Sequence, residues 1–299
     1  MAAASASAAT PARLALLPVL GLLFNAFTWG VSWWPFRQLQ LQGLHPLWAT
    51  ALIYLLAVLF ISAWRPASWP QLRRAPALWW LVLASGTTNA AFNWGVTIGD
   101  VVRVVLLFYL MPLWAVLLAR LVLGERLTPL AGIRMLLSLA GAAIVLWPQG
   151  GALPWPGTLA EGLGVLGGFA FALNNIMLRR EAHQPELARA LAMFLGGAVV
   201  AGLLALGLGA QGLVPTPPAP AWPWVAGALG LGTLFLLSNL TLQYGAARLN
   251  ANATAVVMVT EVLFASVSAV LLGAGQWSLP LLLGGALIVS AALLSVFER

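Results

Sequence analysis

The sequence predicts an all-α integral membrane protein. Its ten transmembrane helices form two inverted five-helix repeats, with both termini in the cytoplasm. Three observations support this fold class. Of the 299 residues, 62% are apolar and only 7% are charged, whereas ordinary soluble domains carry about 25% charged residues. Apolar runs of membrane-spanning length, roughly 20 residues each, recur along the whole chain. The chain also matches itself when it is shifted by 150 residues.

The composition excludes several classes of protein. All fourteen basic residues are Arg and they are dispersed through the predicted loops, so the net charge of +7 does not form the patch that nucleic acid requires. There is no Cys, which excludes disulfides, thiol catalysis and Cys-based metal sites. His45 and His183 lie far apart in connecting segments. We therefore expect neither a metal nor a cofactor.

Ten apolar spans follow a disordered N-terminal segment, residues 1–13. The first span is longer than a signal-peptide core and lacks a small-residue cleavage site, so it is interpreted as uncleaved. The longest connection is the Pro-rich turn near Pro215, which cannot continue a helix. The predicted spans are Leu14–Phe36, Pro46–Trp64, Pro76–Ile98, Val101–Leu123, Leu130–Trp147, Gly157–Leu178, Arg189–Leu208, Trp222–Ala246, Ala251–Leu272 and Leu279–Phe297.

The Arg residues alternate between the two sides of the predicted membrane. Twelve fall in the terminal segments and the even-numbered connections, and only Arg37 and Arg103 fall on the other side. Because cytoplasmic loops carry the excess of Arg and Lys, both termini are predicted to lie in the cytoplasm, with the chain in a bacterial inner membrane. A missed span would disrupt this alternation, which supports the count of ten.

The internal match is clearest in the third and eighth spans. Asn89–Gly95, with the sequence Asn-Ala-Ala-Phe-Asn-Trp-Gly, aligns with Asn239–Gly245, with the sequence Asn-Leu-Thr-Leu-Gln-Tyr-Gly. The two repeats would be residues 14–148 and 149–299, with five spans each. Because five is an odd number, the second repeat enters the membrane inverted relative to the first. Transporters with this symmetry bind solute near the midplane, at the interface of the repeats.

Short motifs accompany the repeat. The first half contains Leu110-Met-Pro112-Leu113 and Gly124-Glu125-Arg126-Leu127-Thr128, and the second half contains Thr260-Glu261-Val262. With these motifs the chain resembles the ten-helix EamA-type branch of the drug/metabolite transporter superfamily. The departures are Val262, where the family commonly has Pro, and Ala274-Gly275 in place of the second Gly-Glu.

The resemblance covers nearly the whole chain. Within the superfamily, the aromatic-rich interior looks most like the aromatic amino acid exporters of the YddG type. This resemblance implies alternating access and a cavity lined by the first, third, fourth, sixth, eighth and ninth spans.

Amide side chains within the apolar spans are the first candidates for substrate binding. Their four-residue spacing places Asn89 and Asn93 on one helix face, and the same holds for Asn239 and Gln243. Such amides would hydrogen-bond a zwitterionic or amide-bearing solute. Alternatively, they would hold helices together through interhelical hydrogen bonds worth about 0.6 kcal/mol each. Weaker candidates of the same kind are Asn25, Asn174 and Asn175.

Aromatic residues inside the spans and one deep acid complete the candidate substrate site. Trp29, Trp94, Tyr109 and Tyr244 would form an aromatic box around a ring or an ammonium group; the alternative is lipid contact or core packing. Glu261 lies deep within the ninth span, where an ionisable residue is a functional candidate. It would meet a substrate ammonium or carry a coupling proton; alternatively, it would cap a neighbouring helix or pair with an Asn.

Three further residues are candidate hinges or gates, namely Gly95, Pro112 and Gly245. Pro112 lies inside the fourth span, where it removes a helical hydrogen bond and kinks the helix. The two glycines allow bending or close helix approach. At the tight turn before this span, Asp100 and Arg103 are expected to pair with each other or with helix termini.

These features predict a transporter and not an enzyme. No Ser-His-Asp or paired-carboxylate arrangement has credible spacing, and no channel filter is recognisable. The favoured function is export of aromatic amino acids and related small metabolites. The alternatives within transport are threonine or other amino acids, drugs and nucleotide sugars. A phosphate-bearing solute would need cationic groups at membrane depth, whereas the Arg residues are predicted at span ends. The partners are a small solute and the lipid bilayer, and a monomer is compatible with this function.

Overall fold

The computed structural model describes residues 11–124, 128–146, 155–246, 248 and 251–294, which form helices joined by turns and loops, without strands. The predicted segment 1–13 falls largely outside this range, and the first helix begins at Pro11. The helices of the described residues are α1 (Pro11–Val31), α2 (Trp33–Leu41), α3 (Pro46–Trp64), α4 (Ser68–Arg74), α5 (Leu78–Ile98), α6 (Val101–Phe108), α7 (Met111–Val122), α8 (Pro129–Leu146), α9 (Leu159–Arg180), α10 (Glu186–Ala210), α11 (Trp222–Ala246), α12 (Ala251–Leu271) and α13 (Leu279–Leu294).

Helix length and composition identify a multi-pass membrane protein. Among the described residues, six helical stretches are long and apolar enough to cross a membrane. One of them runs through α1 and α2, and another through α6 and α7. Parts of α8, α12 and α13 form shorter apolar helices. The six long stretches are Leu16–Leu41, Pro46–Trp64, Val101–Val122, Leu159–Arg180, Glu186–Ala210 and Trp222–Leu242.

The helix α5 is the polar helix at the centre of the bundle. It carries Ser85, Thr88, Asn89 and Asn93, and these polar side chains lower its hydropathy, so it is not among the six long apolar stretches. Its neighbours are α3, α9 and α10, and most of its residues are buried. Its polar groups therefore face protein and not lipid, as expected for polar side chains at membrane depth.

The fourth predicted span is interrupted at Tyr109–Leu110, between α6 and α7. Pro112 lies in the first turn of α7, where its missing N–H costs no helical hydrogen bond. The carbonyl oxygen of Phe108, which would accept from residue 112 in a continuous helix, lies against Gly168 of α9. A Cβ atom at Gly168 would be only 2.3 Å from that oxygen. The glycine therefore lets the break in the span pack directly on α9.

Helix packing follows a regular pattern around this centre. The helix α5 packs on α9 and α10, while α11 packs on α1 and α3. The helix α9 also packs on α6 and α7, and α1 also packs on α12. The largest apolar cluster surrounds α6, whose residues between Val101 and Phe108 are all buried except Arg103. The aliphatic helices α8 and α13 pack against each other at the side of this cluster.

Candidate functional site

A cavity of about 560 Å³ lies at the centre of the bundle. Nine helices contribute to its lining, namely α1, α3, α5, α6, α7, α9, α10, α11 and α12, together with Tyr109 at the break between α6 and α7. The volume falls in the range of small-molecule sites, roughly 300–1,000 Å³. Neither α8 nor α13 contributes a described residue to the lining. The cavity is therefore the candidate functional site.

Aromatic side chains form much of the cavity wall. The indole of Trp29 stacks on Phe235, with ring centroids 4.5 Å apart and planes at 15°. Phe92 meets Phe108 edge-on, with centroids 4.8 Å apart. Aromatic pairs prefer these two geometries, and they leave flat apolar faces towards the cavity. The aromatic lining residues are Trp29, Tyr54, Phe92, Phe108, Tyr109, Phe171, Phe194 and Phe235.

Asn25 on α1 lines the cavity and is held by α11. Its amide nitrogen donates to the carbonyl oxygen of Ser238 at 3.0 Å and to the hydroxyl of the same residue at 2.7 Å. The side chain is 1% exposed, and its Oδ1 has no hydrogen-bond partner. Because a carbonyl oxygen can only accept, the Ser238 contact fixes the orientation of the amide. Asn25 is thus left with a buried acceptor that lacks a donor.

Asn89 lines the cavity from α5. Its Oδ1 accepts from the hydroxyl of Tyr54 on α3, and its amide nitrogen donates to the carbonyl oxygen of Ser85 at 2.8 Å. Tyr54 and Ser85 line the same cavity. The amide is therefore anchored within α5 and from α3, which places it at a defined position in the cavity wall.

Three more predicted amides line the cavity from the second half of the chain. Asn174 and Asn175 belong to α9, and Asn239 belongs to α11. Asn174 is buried and its Oδ1 has no hydrogen-bond partner, like that of Asn25. Asn175 is exposed. The cavity thus brings five of the predicted amides together.

Three charged residues line the cavity at two different depths. Glu261 lies at the middle of α12, and the hydroxyl of Tyr109 donates to its Oε2 at 3.4 Å. Glu186 and Arg189 belong to the first turn of α10. The Nε of Arg189 is buried without a hydrogen-bond partner. Across the described residues, no group of three or more His, Asp or Glu could hold a metal ion.

Asn93 and Trp94, both predicted to bind substrate, lie outside the cavity lining. Asn93 is fully buried and donates to the hydroxyl of Thr50 on α3 at 3.1 Å. Trp94 meets the ring of His45 edge-on, with centroids 5.4 Å apart. Burial lowers the pKa of His45, which keeps the ring neutral as the N-cap of α3. Both side chains therefore pack α5 against α3 and the turn before it.

Tyr244 and Gln243 belong to the last part of α11. Tyr244 is exposed outside the cavity, and the guanidinium carbon of Arg248 lies 3.8 Å from the centre of its ring. This contact places the Tyr244 ring at the protein surface. The side chain of Gln243 lies outside the described part of the chain, so its role stays a prediction.

The predicted hinge glycines lie at close helix contacts. A Cβ atom at Gly95 would be 3.3 Å from the carbonyl oxygen of Ala160 on α9, and one at Gly245 would be 2.7 Å from the carbonyl oxygen of Pro18 on α1. Both glycines thus allow neighbouring helices to pack closely. Pro112 lies at the break between α6 and α7. Hinge motion at these three positions stays a prediction.

Two spans that the sequence analysis left out contribute to the cavity. Tyr54 reaches it from α3, the predicted second span. The seventh span, α10, supplies Arg189 as well as four other lining residues. Arg189 lies in the first turn of α10, at a span end as predicted, and it lines the cavity there. The other α10 residues that line the cavity are Glu186, Ala190, Met193 and Phe194.

Half of the cavity-lining residues form pairs at the offset of the predicted 150-residue repeat. In six cases two lining residues are 150 positions apart, and two of these pairs, Asn89/Asn239 and Phe92/Leu242, lie in the segments whose match predicted the repeat. Extending the same offset to every span would have found the others, even where the residue types differ. The six pairs are Asn25/Asn175, Ser85/Phe235, Asn89/Asn239, Phe92/Leu242, Phe108/Met258 and Met111/Glu261.

An ion pair links α6 to α9 at one end of the bundle. The carboxylate of Asp100 accepts from the backbone N–H of Arg103 at 2.9 Å and so caps α6. The guanidinium of Arg103 pairs with Glu161 of α9 at 2.6 Å. Glu161 also forms a capping box with Thr158 at the start of α9. Asp100 therefore caps the helix as expected, while Arg103 pairs with a neighbouring helix.

Further contacts close the same end of the bundle. The backbone N–H of Val101 donates to the carbonyl oxygen of Ala274 at 3.3 Å, and Arg37 donates to three carbonyl oxygens at the end of α5. The cavity lining reaches the opposite end, where it includes Leu178 at the end of α9 and Arg189 at the start of α10. The cavity therefore extends towards one face of the bundle, and these contacts hold the other face together.

Comparison with known proteins gives matches to transporters. Residues 16–147 match the model of the EamA-like transporter family. An uncharacterized transporter of Pseudomonas aeruginosa is 36% identical over 103 residues, which are 33% of this chain and 34% of that protein. The chloramphenicol-sensitive protein RarD of the same organism is 32% identical over 127 residues, which are 38% of this chain and 40% of that protein. The matches thus span between a third and two fifths of these relatives.

A solved crystal structure shares the fold. It aligns over 93% of this chain and 96% of its own chain, with a TM-score of 0.59 and 20% sequence identity. At this identity the likeness concerns the fold alone. The family match and the first of these relatives show a similarity to transporters over less than half of this chain.

Proposed function

We propose that this chain exports aromatic amino acids and related small metabolites across a bacterial inner membrane. The central cavity would open alternately to the two faces of the membrane. Solute would enter at the face where Leu178 and Arg189 lie and leave at the face held together by Arg103. The match of residues 16–147 to the EamA-like transporter family supports a carrier of this type.

The main observation in favour of a carrier is the repetition within the cavity lining. In a carrier built from inverted repeats, the solute site lies between the repeats near the membrane midplane. Equivalent positions of both repeats should therefore face it. The six pairs of lining residues 150 positions apart meet this requirement, since each pair takes one residue from residues 14–148 and one from residues 149–299.

The packing of the helices supports the same two repeats. The contacts of α5 with α9 and α10 have their equivalents in those of α11 with α1 and α3. The contact of α9 with α6 and α7 corresponds to that of α1 with α12, and α8 and α13 pair with each other. Joining α1 to α2 and α6 to α7, with the short α4 in a connection, gives ten spans in two sets of five.

The chemistry of the lining favours an aromatic solute with polar groups. Trp29 and Phe92 line the cavity and would stack on a solute ring, and aromatic contacts add about 0.5–1.5 kcal/mol beyond area burial. The amides of Asn25 and Asn89 lie on the same cavity and would bind the polar end of the solute. An aromatic amino acid combines both features in one small molecule.

A second candidate within transport is an anionic solute such as a nucleotide sugar. Arg189 favours it, because its guanidinium lines the cavity with an unpartnered Nε. Glu186 lies three residues earlier on α10 and also lines the cavity, which lowers the positive potential there. Phosphate sites usually combine several cationic donors, and Arg189 is the one cation among the described lining residues. An aromatic amino acid is therefore favoured.

Uptake by reconstituted protein tests this proposal. Purified protein in liposomes should take up labelled phenylalanine and tryptophan above empty vesicles. Threonine and a nucleotide sugar should move more slowly. If the nucleotide sugar moves fastest, the anionic alternative replaces the proposal. If none of the four solutes moves although the protein is folded and inserted, this proposed function is wrong.

A further inference from the structure

We propose that Glu261, Asn25 and Tyr109 form a subsite for the ammonium group of the solute, with the ring of Trp29 beside it. This inference rests on the proposed function and defines the chemistry that the cavity selects. The solute class is a primary amine attached to an aromatic ring, whether or not it also carries a carboxylate.

The first step is the position of Glu261. It lies ten residues from either end of α12, and it lines the cavity. A carboxylate at this depth is costly unless something compensates its charge. Among the described residues no Arg or His lies within ion-pair distance of it, and its hydrogen-bond donor is Tyr109 at 3.4 Å. The carboxylate therefore lacks a protein cation and has the capacity to bind one.

The second step concerns the buried polar atoms of the cavity-lining amides that lack a hydrogen-bond partner. Asn25 uses its amide nitrogen on Ser238 and leaves its buried Oδ1 without a donor. The Oδ1 of Asn174 is buried without a donor as well. A buried polar group without a partner costs roughly 1–3 kcal/mol. Because these two atoms are acceptors, a solute group that satisfies them is a donor, and an ammonium group brings three N–H donors.

The third step is that these groups lie on helices in direct contact. The helices α1 and α12 pack along each other, and a Cβ atom at Gly30 would lie 2.8 Å from the backbone carbonyl oxygen of Glu261. Asn25 and Trp29 are one helical turn apart on α1 and both line the cavity. One face of the Trp29 ring is stacked on Phe235, and its other face would contact a cation in the cavity, a contact worth about 0.5–2 kcal/mol.

The fourth step separates this subsite from Arg189. Arg189 lies three residues into α10 and Glu261 ten residues into α12. If the two helices start at the same face, the difference in depth is roughly 10 Å at 1.5 Å per residue. Such a separation exceeds the distance between the ammonium and carboxylate groups of one amino acid. The deep subsite therefore selects the amine on its own, and Arg189 acts at the mouth.

Ligand-dependent stability tests the subsite without requiring transport. Phenethylamine carries a ring and an ammonium group, whereas 3-phenylpropionate carries a ring and a carboxylate. Phenethylamine should raise the unfolding temperature of the purified protein, because a ligand of the native state stabilises it. In Glu261→Gln the phenethylamine concentration for half of this shift should rise by about tenfold or more, equivalent to about 1.4 kcal/mol. The response to 3-phenylpropionate should stay within about twofold.

The matched control is Glu181→Gln, because Glu181 is a buried acid outside the cavity that pairs with Arg180. It should respond to phenethylamine like the wild type. If Glu261→Gln does not fold, Asn25→Leu removes the orphaned acceptor and should weaken phenethylamine binding in the same assay.

Unchanged phenethylamine binding in the folded variants, or a wild type that does not respond, overturns the subsite. A Glu261→Gln protein that loses proton-driven transport but keeps its affinity for phenethylamine also overturns the subsite. A wild type that binds phenethylamine and transports none of the tested solutes would instead refute the proposed export.

Discussion

Asn89 and Asn93 lie one turn apart on α5, yet only Asn89 lines the cavity. Four residues of an α-helix turn through about 400°, so the second amide is rotated by about 40° from the first. That rotation directs Asn93 to Thr50 on α3 and leaves Asn89 beside Tyr54 and the cavity. We therefore assign helix adhesion to Asn93 and keep Asn89 as the candidate for solute binding.

Alanine substitution should separate the two amides. Asn89→Ala should lower phenylalanine uptake per folded protein by about tenfold, the loss expected when a hydrogen bond of roughly 1–1.5 kcal/mol to solute disappears. Asn93→Ala should keep uptake within about twofold and lose stability of about 0.6 kcal/mol, as for an interhelical hydrogen bond. Uptake normalised to inserted protein and the unfolding midpoint measure both effects. Equal loss of uptake in both variants would contradict these assignments.

At the residue scale, a polar residue that interrupts an apolar span predicts part of the cavity lining. Asn25, Asn174 and Glu261 are conspicuous for this reason. Sequence reasoning could not find Tyr54, because one aromatic residue in the apolar α3 is indistinguishable from packing. It also could not distinguish Trp94, which packs on His45, from Trp29, which lines the cavity, since both are aromatic residues inside spans.

At the scale of helices, the break between α6 and α7 shapes the cavity. Tyr109 lies at the break and its hydroxyl reaches Glu261. The freed carbonyl oxygen of Phe108 lies against Gly168 of α9. Pro112 indicates a break from the sequence alone, because Pro removes a helical hydrogen bond. Which helix approaches the freed carbonyl depends on tertiary packing, and no local pattern around Gly168 reveals it.

Two glycines of α9 provide a matched test of this packing. In Gly168→Ala the new Cβ atom would meet the backbone carbonyl of Phe108, and we expect a loss of stability of about 1–3 kcal/mol, as for overpacking. Gly162→Ala meets nothing within 4 Å, so it should be neutral or stabilising by up to about 1 kcal/mol. Unfolding midpoints in detergent measure both. A Gly168→Ala protein as stable as Gly162→Ala would show that α6 and α9 are not in close contact.

At the scale of the whole molecule, the structure has one closed face and one face towards which the cavity extends. Arg37 and Arg103, the two Arg residues predicted on the side opposite the termini, both contribute to the closed face. With the termini predicted in the cytoplasm by the positive-inside rule, we propose that this closed face lies outside the cytoplasm and that the structure corresponds to an inward-facing state. The sequence indicated the charge asymmetry, but which face is closed follows only from the ion pair with Glu161 and the cavity itself.

Weakening the closed face should favour the outward-facing state. Arg103→Gln removes the ion pair with Glu161, and a partly exposed pair contributes at most about 0.5–1 kcal/mol. The chain has no native Cys, so Ser85→Cys in the cavity lining provides a single thiol. A membrane-impermeant thiol reagent added outside should react with this thiol about two- to fivefold faster when Arg103→Gln is also present. The control Arg73→Gln, at an exposed position on α4, should have no effect. Equal rates in both backgrounds would show that the Arg103–Glu161 pair does not hold the face closed.

Counterflow in proteoliposomes tests the proposed alternating access of an aromatic amino acid site most directly. Vesicles loaded with unlabelled phenylalanine should accumulate external labelled phenylalanine faster than vesicles without internal solute. Each unlabelled molecule that is carried out leaves the cavity open to the outside, where labelled phenylalanine binds next. Asn89→Ala and Glu261→Gln should lose this acceleration. Uptake that is independent of internal phenylalanine would indicate a channel. The absence of uptake by folded, inserted protein would contradict phenylalanine transport altogether.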